Sequence, residues 1–441
     1  MNKQNQELKK NMGVFSAVSI VVGCVIGAGV FFKPYAIYQA TGGAPGLGLL
    51  AWVLGGLMSL FGALTFAEIA VMIPRTGGMV TYLGQVYNKT LGFLAGWMQV
   101  VIFYPAYLAG YGVKVGTELS SLLGHDISTP VGLLIIAAIV LLNIKGSSAA
   151  SKFQVLSTAC KLIPLFLITV VGFLFGHSTA GVFTPFIGQN YSIGATLSTT
   201  LLAVLFAFEG WTNVGAIAGE MKNPAKDLPK AIVGGVSIIM AIYLLINIAY
   251  LRVIPASELM NIPSPAAAVA SQLFGNAGGL IIAIGIIISV IGAGNGFLLS
   301  GSRVAYYLAS EKMLPYSDKL SALNDQQVPA NSIILVGTIA AFYSLIGQFD
   351  LLTDIGTFSC WIFYTLTFYC VIRLRKTQPE VERKYKVPFY PIVPIIAIAS
   401  GAFVVLSQLF LSGTSGRIMA LISVGITLLG LPMYRFVQSK Q

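Results

Sequence analysis

The first long apolar segment of this chain contains the sequence GCVIGAGVF, which occupies residues 23–31. Its two central glycines, Gly27 and Gly29, are unfavourable there, because each glycine destabilises a helix interior by about 1 kcal/mol relative to alanine. One interpretation of this pair is a face of small residues against which a second helix packs. The other is an interruption of a membrane-spanning helix, which frees backbone amides and carbonyls in mid-membrane.

The sixth apolar segment carries a second irregularity, which favours the interruption hypothesis. It reads FAFEGW at residues 206–211, so that Glu209 and Gly210 stand in the middle of an apolar span. Paired interruptions in corresponding helices of two halves indicate a transporter site built from inverted repeats. A five-helix unit is inverted when it is repeated, because an odd number of spans reverses the direction of the chain. We therefore predict one membrane domain over residues 1–441, with five-helix repeats at 11–176 and 195–373 and two further helices within 390–437.

The composition places the chain in a membrane. Of its 441 residues, 56% are hydrophobic and 9% are charged, whereas soluble domains carry about 25% charged residues. The apolar residues also form runs that approach the ~20 residues needed to cross a bilayer as a helix. These features exclude a soluble enzyme, a nucleic-acid-binding protein and a disordered chain, and they predict an all-α membrane protein with twelve transmembrane helices. The predicted spans are approximately 14–38, 47–72, 92–113, 131–144, 153–175, 197–218, 231–251, 279–308, 333–346, 355–372, 392–411 and 418–437, of which the fourth and ninth are short.

The basic residues indicate how the chain is oriented. The sequence has 26 Lys and Arg against 15 Asp and Glu, a net charge of +11. If the N-terminus is cytoplasmic, 21 basic residues fall on the cytoplasmic side and four on the opposite side, an asymmetry typical of the positive-inside rule. Both termini are therefore predicted in the cytoplasm, and the positive charge is assigned to the membrane face and not to a nucleic-acid partner. The four opposite residues are Lys33, Lys114, Arg252 and Arg417.

Lys161 belongs to neither set, because it lies inside the fifth apolar segment. A lysine in mid-membrane costs about 2.5 kcal/mol or more, which makes it a candidate functional residue. The alternative is that its side chain reaches back to the cytoplasmic interface. The four cysteines lie in apolar stretches without metal-binding or redox spacing, so neither a metal site nor a cofactor is predicted.

Two broken helices offer a specific kind of binding site. Free amides at the start of a half-helix, aided by its positive end, bind a carboxylate, and free carbonyls at the end of another bind an ammonium group. A site with both groups and few charged side chains matches a zwitterionic amino acid. The candidate carboxylate ligands are the amides of Gly27, Ala28, Gly29 and Val30, and the candidate ammonium ligands are the carbonyls of Val25, Phe206 and Glu209.

Three motifs together carry a resemblance to a known family. They are the glycine pattern of residues 23–31, the FAFEGW sequence, and GEMKNP at residues 219–224 followed by LPKAI at residues 228–232. The chain resembles the amino acid–polyamine–organocation superfamily, and within it the L-amino acid transporter family, closest to bacterial exchangers of serine and threonine or of alanine, serine and cysteine. The resemblance implies a LeuT-like fold of twelve helices in a five-plus-five inverted repeat, with broken helices 1 and 6. It also implies alternating access around a central site in the plasma membrane.

The resemblance also implies roles for particular residues. Phe206 stands where the family places an aromatic gate over the substrate, although a plain core aromatic is the alternative. Lys161 stands where sodium-independent relatives place a lysine instead of a sodium ion, which ties the first helix to the eighth. Its expected partners are a first-helix carbonyl near Gly23 and the hydroxyl of Ser289.

Several polar residues in the spans are candidates for the substrate pocket. The Glu209 side chain has two interpretations, a protonatable coupling group or a carboxylate that points into a solvated vestibule. Glu68 is predicted to be structural and to pair with a loop base such as Arg75. The candidate pocket residues are Tyr104, Thr212, Asn213 and Asn295, for which helix–helix hydrogen bonding is the alternative.

The leading hypothesis is sodium-independent exchange of small neutral L-amino acids of the alanine, serine, cysteine and threonine class. A proton-coupled symporter, with Lys161 or Glu209 titrating, is a close alternative. The sequence gives little support to an enzyme, since both histidines fall in predicted outer loops and the spans hold no catalytic arrangement, or to a channel, which needs a filter or a charged ring. Eukaryotic relatives join a heavy chain through a cysteine between the third and fourth helices. Residues 118–130 contain none, so no covalent heavy chain is expected.

Overall fold

The computed structural model describes residues 13–73, 77–178, 180–216 and 221–440, and helices form nearly all of its regular structure. Within these residues, nine helical stretches are long and apolar enough to cross a bilayer. Three shorter apolar helices span Ser128–Ile144, Ile193–Ala207 and Ala330–Ser344. The chain is therefore a multi-pass membrane protein. The prediction that the fourth and ninth segments are short is confirmed, since their helices have 17 and 15 residues.

Most helices follow the predicted apolar segments in order, whereas three short helices, Met79–Val86, Ala256–Leu259 and Ser317–Leu320, lie outside every predicted segment. Several extend beyond the predicted ends, because small and polar residues at a helix end weaken the apolar signal without stopping the helix. The helices are α1 (Val14–Val25), α2 (Ala28–Ala40), α3 (Pro45–Met72), α4 (Met79–Val86), α5 (Lys89–Met98), α6 (Tyr104–Leu123), α7 (Ser128–Ile144), α8 (Ser147–Phe175), α9 (Ile193–Ala207), α10 (Asn213–Ala216), α11 (Pro224–Val253), α12 (Ala256–Leu259), α13 (Pro265–Ser310), α14 (Ser317–Leu320), α15 (Ala330–Ser344), α16 (Phe349–Thr377), α17 (Ile392–Phe410), α18 (Thr414–Leu428) and α19 (Gly430–Gln438). A π-helical segment, Gln99–Phe103, joins α5 to α6.

The first apolar segment is interrupted at the predicted glycine pair. Helix α1 ends at Val25 and α2 begins at Ala28. Between them Ile26 is extended, with φ −72° and ψ 94°, and Gly27 has φ −134° and ψ −136°. The interpretation of this stretch as a continuous helix with a small-residue face is therefore wrong.

The sixth segment is interrupted as well. Helix α9 ends at Ala207, residues 208–212 form turns, and α10 begins at Asn213. Gly210 has φ +116°, a conformation that residues with a side chain rarely adopt. Residues 217–220 lie outside the described part of the chain, so the GEMKNP motif is described only from Met221 onward.

Glu68 joins α3 to α16. Its carboxylate accepts hydrogen bonds from Arg375 at 2.8 and 2.6 Å and from the Val387 amide at 2.7 Å, and Arg383 lies 3.4 Å away. The structural role predicted for this fully buried glutamate agrees with these contacts. The suggested partner Arg75 lies outside the described residues.

Candidate functional site: the crossing of two interrupted helices

The two interruptions lie against each other at the centre of the helix bundle. A Cβ atom built on Gly29 would overlap the backbone of Ala207, where α9 ends. A Cβ atom built on Gly210 would lie 3.1 Å from Cβ of Cys24, in the last turn of α1. The two interrupted segments therefore cross so closely that glycine, which has no side chain, is the residue that fits at both contact points.

The four predicted carboxylate ligands open the half-helix α2. They comprise its N-cap, Gly27, and its first three residues, and all four are buried. The first amides of a helix have no partner within it, and no side chain caps this end of α2. The amides of residues 27–30 thus form a buried, positively polarised group of donors that suits a carboxylate.

The predicted ammonium ligands are partly engaged with other groups of the protein. The Tyr243 hydroxyl lies 3.0 Å from the Val25 carbonyl oxygen and 3.0 Å from that of Ala207, so it bridges the ends of α1 and α9. The Phe206 carbonyl accepts a hydrogen bond from the Glu209 amide at 3.0 Å. Because a carbonyl oxygen has two lone pairs, the Val25 carbonyl keeps a position for an ammonium hydrogen, whereas the Phe206 carbonyl also faces the Phe208 amide.

Lys161 reaches the interruption from α8. Its Nζ donates hydrogen bonds to the carbonyl oxygens of Gly23 at 2.7 Å and Ile26 at 2.6 Å. The last carbonyls of a helix have no partner within it, so the Lys161 side chain supplies hydrogen-bond donors to the end of α1. The residue is fully buried, which makes the interpretation that its side chain reaches the interface wrong.

Ser289 does not complete this contact as predicted. Its hydroxyl is fully buried in α13 and has no hydrogen-bond partner among the described residues. Lys161 bonds instead to a second carbonyl of the interrupted segment, that of Ile26. The extended backbone at Ile26 turns this carbonyl out of the helical pattern, which the sequence alone does not indicate.

Phe206 lies in a layer of aromatic rings beside the crossing. Its ring centroid is 5.1 Å from that of Tyr107, 6.3 Å from Tyr111 and 5.5 Å from Phe349. The side chain is 2% exposed, so in this conformation the layer covers the crossing on the Lys33 side. A buried aromatic residue in this position suits the predicted gate.

The Glu209 side chain points into the protein. Its carboxylate accepts hydrogen bonds from the Tyr364 hydroxyl and, at 3.2 Å, from the Gly210 amide. The same tyrosine oxygen lies 2.7 Å from the Thr212 hydroxyl, so these groups connect α16 to the sixth segment. The interpretation that this carboxylate points into a solvated vestibule is wrong for this conformation, because the residue is 2% exposed.

The four candidate pocket residues fall into two groups. Tyr104 donates to the Asn213 side chain at 3.3 Å, and Thr212 lies beside them in the interrupted segment. Asn295 instead bonds to Asn143 and Gln154 at 2.9 Å each, where α7, α8 and α13 meet. Helix–helix hydrogen bonding, the alternative for these residues, describes Asn295, and the Tyr104–Asn213 and Thr212–Tyr364 bonds also join different helices or segments.

The sequence reasoning missed several tyrosines around the crossing. Tyr107 and Tyr111 stand three and seven residues after Tyr104, a spacing that places all three on one face of α6. That spacing is a signal that could have found them. Tyr243 and Tyr364 carry no comparable signal, because each acts alone from a distant helix.

Comparison with known proteins identifies the family. The profile of the amino acid permease family matches residues 12–430. The chain belongs to this family, part of the amino acid–polyamine–organocation superfamily. It is similar to the serine/threonine exchanger SteT of Bacillus subtilis (strain 168), with 39% identity over 98% of each chain. It is also similar to two human proteins: the b(0,+)-type amino acid transporter 1, with 30% identity over 91% of this chain and 83% of the relative, and the cystine/glutamate transporter, with 29% identity over 98% and 86%.

Family membership makes the chain an amino acid transporter and not an enzyme. Within the described residues, no cluster of His, Cys, Asp and Glu has a geometry that would hold a metal ion.

Proposed function

We propose that the chain is a secondary active transporter that exchanges small neutral L-amino acids of the alanine, serine, cysteine and threonine class by alternating access. The observation that carries the proposal is the crossing of α2 and α9, which sets the uncapped amides of residues 27–30 against the carbonyl ends of α1 and α9. The amides bind the substrate carboxylate, and the carbonyls of Val25, Phe206 and Glu209 receive its ammonium group. The tight packing around the crossing favours a small side chain.

Lys161 supports a mechanism without sodium. Its ammonium group donates hydrogen bonds to two carbonyl oxygens at the end of α1. Because this cation is covalently attached to the protein, the site does not need a sodium ion from solution. In this role the lysine keeps α1 attached to α8 during the transport cycle.

The proposed topology has twelve spans and cytoplasmic termini in the plasma membrane. The helices within 11–176 form the first inverted repeat, those within 195–373 the second, and those within 390–437 stand outside the repeats. This arrangement puts an interrupted helix first in each repeat, as a site at the repeat interface requires. The short link between α6 and α7, residues 124–127, contains no cysteine, which supports function without a covalent heavy chain.

Purified protein in liposomes preloaded with alanine or serine tests the proposal. We expect uptake of labelled L-serine to require the internal amino acid, to saturate, and to continue when sodium is replaced by choline. D-serine serves as the stereochemical control. Uptake into empty liposomes would contradict exchange, loss of uptake without sodium would contradict the role of Lys161, and single-channel currents would contradict a transporter.

A proton-coupled symporter is the second candidate, and Glu209 favours it. This buried carboxylate has a tyrosine and a backbone amide as partners and no Lys or Arg within ion-pair distance in the described chain. Lys161 is the other group that would titrate in this mechanism. An imposed pH gradient that drives L-serine into empty liposomes would favour symport over exchange, and Glu209→Gln would then abolish that uptake while L-serine counterflow continued.

A further inference from the structure

Lys33 is a buried lysine at the centre of a charge cluster that the proposed exchange mechanism does not use. Its Nζ donates to Asp350 at 2.6 Å, to the Thr353 hydroxyl at 3.1 Å and to Asp354 at 3.3 Å. Lys33 is 1% exposed, whereas the side chains of the two aspartates are 51% and 28% exposed. The three acceptors occupy the first turns of α16, so the cluster joins half-helix α2 to the start of α16.

The same ammonium group contacts the aromatic layer. Lys33 Nζ lies 4.9 Å from the ring centroid of Phe206 and 5.2 Å from that of Phe349, both within the range of a cation–π interaction. Phe206 and Phe349 also pack edge to face, with 5.5 Å between their centroids. The lysine therefore holds the gate residue and the start of α16 at once.

Helix α2 connects this cluster mechanically to the binding site. Lys33 stands four residues after Gly29 in one helix, a separation of about 6 Å along the axis. A half-helix of this length moves as a rigid body, so any shift that uncovers the amides of residues 27–30 also displaces Lys33. If Lys33 separates from Asp350 and Asp354, its ammonium group is left buried without a partner unless water replaces the carboxylates.

We propose that Lys33, Asp350 and Asp354 form a latch that keeps Phe206 closed on the side away from the cytoplasm. The inference rests on the proposed function for the orientation and for Phe206 as the gate. In the closed conformation Lys33 binds two carboxylates that lie four residues apart on α16, and its charge offsets their mutual repulsion. In the open conformation water solvates all three groups, and the gate is free to move.

A reporter cysteine below the latch tests the proposal. Thr357 is fully buried, lies one turn beyond Thr353 in α16, and bonds to Tyr107 at 2.7 Å. Thr357→Cys is treated in intact cells with a membrane-impermeant methanethiosulfonate, and labelling is measured relative to the chain without the added cysteine. Adding Lys33→Gln is expected to accelerate labelling about tenfold or more, because the two carboxylates then favour the open, hydrated conformation.

Two further variants separate a latch from general loosening. Arg375→Gln removes the ion pair with Glu68 at the other end of α16 and is expected to leave labelling of the reporter unchanged. Adding Asp350→Asn and Asp354→Asn to Lys33→Gln is expected to slow labelling relative to Lys33→Gln alone, because the repulsion is removed. The parent rate is not expected to return, because the ion pairs of the latch are still absent. If Lys33→Gln does not reach the membrane, Asp350→Asn alone replaces it, with a smaller acceleration expected because Asp354 still holds the lysine.

Equal labelling with and without Lys33→Gln would overturn the latch. Acceleration by Arg375→Gln equal to that by Lys33→Gln would overturn it as well, since any loosening of α16 would then suffice. The labelling needs no substrate, so its failure is distinct from failure of the proposed exchange. Absent exchange with accelerated labelling would leave the latch standing and contradict the exchange proposal.

Discussion

Lys161→Ala is expected to reduce L-serine counterflow by more than about tenfold. The substitution removes two hydrogen bonds from a charged donor to the carbonyls of Gly23 and Ile26, and such bonds contribute about 1.5–3 kcal/mol each. About 1.4 kcal/mol corresponds to a factor of ten. Losing even part of this bonding energy is therefore enough for the expected reduction in counterflow, because α1 is no longer attached to α8 through Lys161. The fold is retained, because the interrupted segment still packs against α11 and α13.

A second lysine of the same helix provides the control. Lys152 is exposed near the start of α8, so Lys152→Ala removes the same side chain without touching the crossing. Its counterflow is expected to match that of the parent protein. Parent-level counterflow in Lys161→Ala, in protein that elutes as a single species in detergent, would contradict the role assigned to Lys161.

Gly29→Ala is expected to abolish measurable counterflow. The added methyl group would overlap the Ala207 backbone, so α2 and α9 must separate at their point of contact. Overpacking of this kind costs about 1–3 kcal/mol, and the displacement falls on the amides of the site. The Gly29 amide itself remains, so the loss would report the geometry of the crossing and not a missing donor.

Gly194→Ala is the matched control for this substitution. Gly194 lies in the first turn of α9, and a Cβ atom there meets nothing within 4 Å. Its counterflow is expected to be unchanged. Normal transport by Gly29→Ala would show that the two interrupted helices need not approach as closely as the structure has them.

The positions of both interruptions could be predicted from the sequence, and so could the buried lysine. Glycine pairs and an acidic residue are costly within an apolar run, and Lys161 is costly for the same reason, so local composition marks each of them. The direction of the Glu209 side chain could not be predicted, because it depends on Tyr364, 155 residues away in the chain. The ion pair of Lys33 could not be predicted for the same reason, because its partner Asp350 is 317 residues away in the chain.

The Ser289 prediction shows a different limit. A carried-over contact assumes that the partner helices keep the same separation, and here Lys161 bonds to the Ile26 carbonyl and not to the Ser289 hydroxyl. Tyr243 was missed for a related reason, because one tyrosine among 19 has no local feature that marks it. Its role becomes evident only when the ends of α1 and α9 are seen to share its hydroxyl.

Helix α16 connects these observations. Its first turns hold Lys33, Tyr364 near its middle holds Glu209, and Arg375 near its end holds Glu68. Each contact reaches a different part of the two interrupted helices or of α3. Helix α16 thus contacts both interrupted segments and α3.

Competition by amino acid analogues tests most directly whether the two interrupted helices recognise a zwitterion. L-alanine, L-alaninamide and N-acetyl-L-alanine have the same side chain, but the second lacks the carboxylate and the third lacks the ammonium group. We expect L-alanine to inhibit L-serine counterflow and both analogues to fail at concentrations about a hundredfold higher. Each lost charged contact costs at least ~1.5 kcal/mol and leaves the opposing groups of the site unpaired. Inhibition by either analogue at the concentration of L-alanine would contradict recognition of a zwitterion at this site.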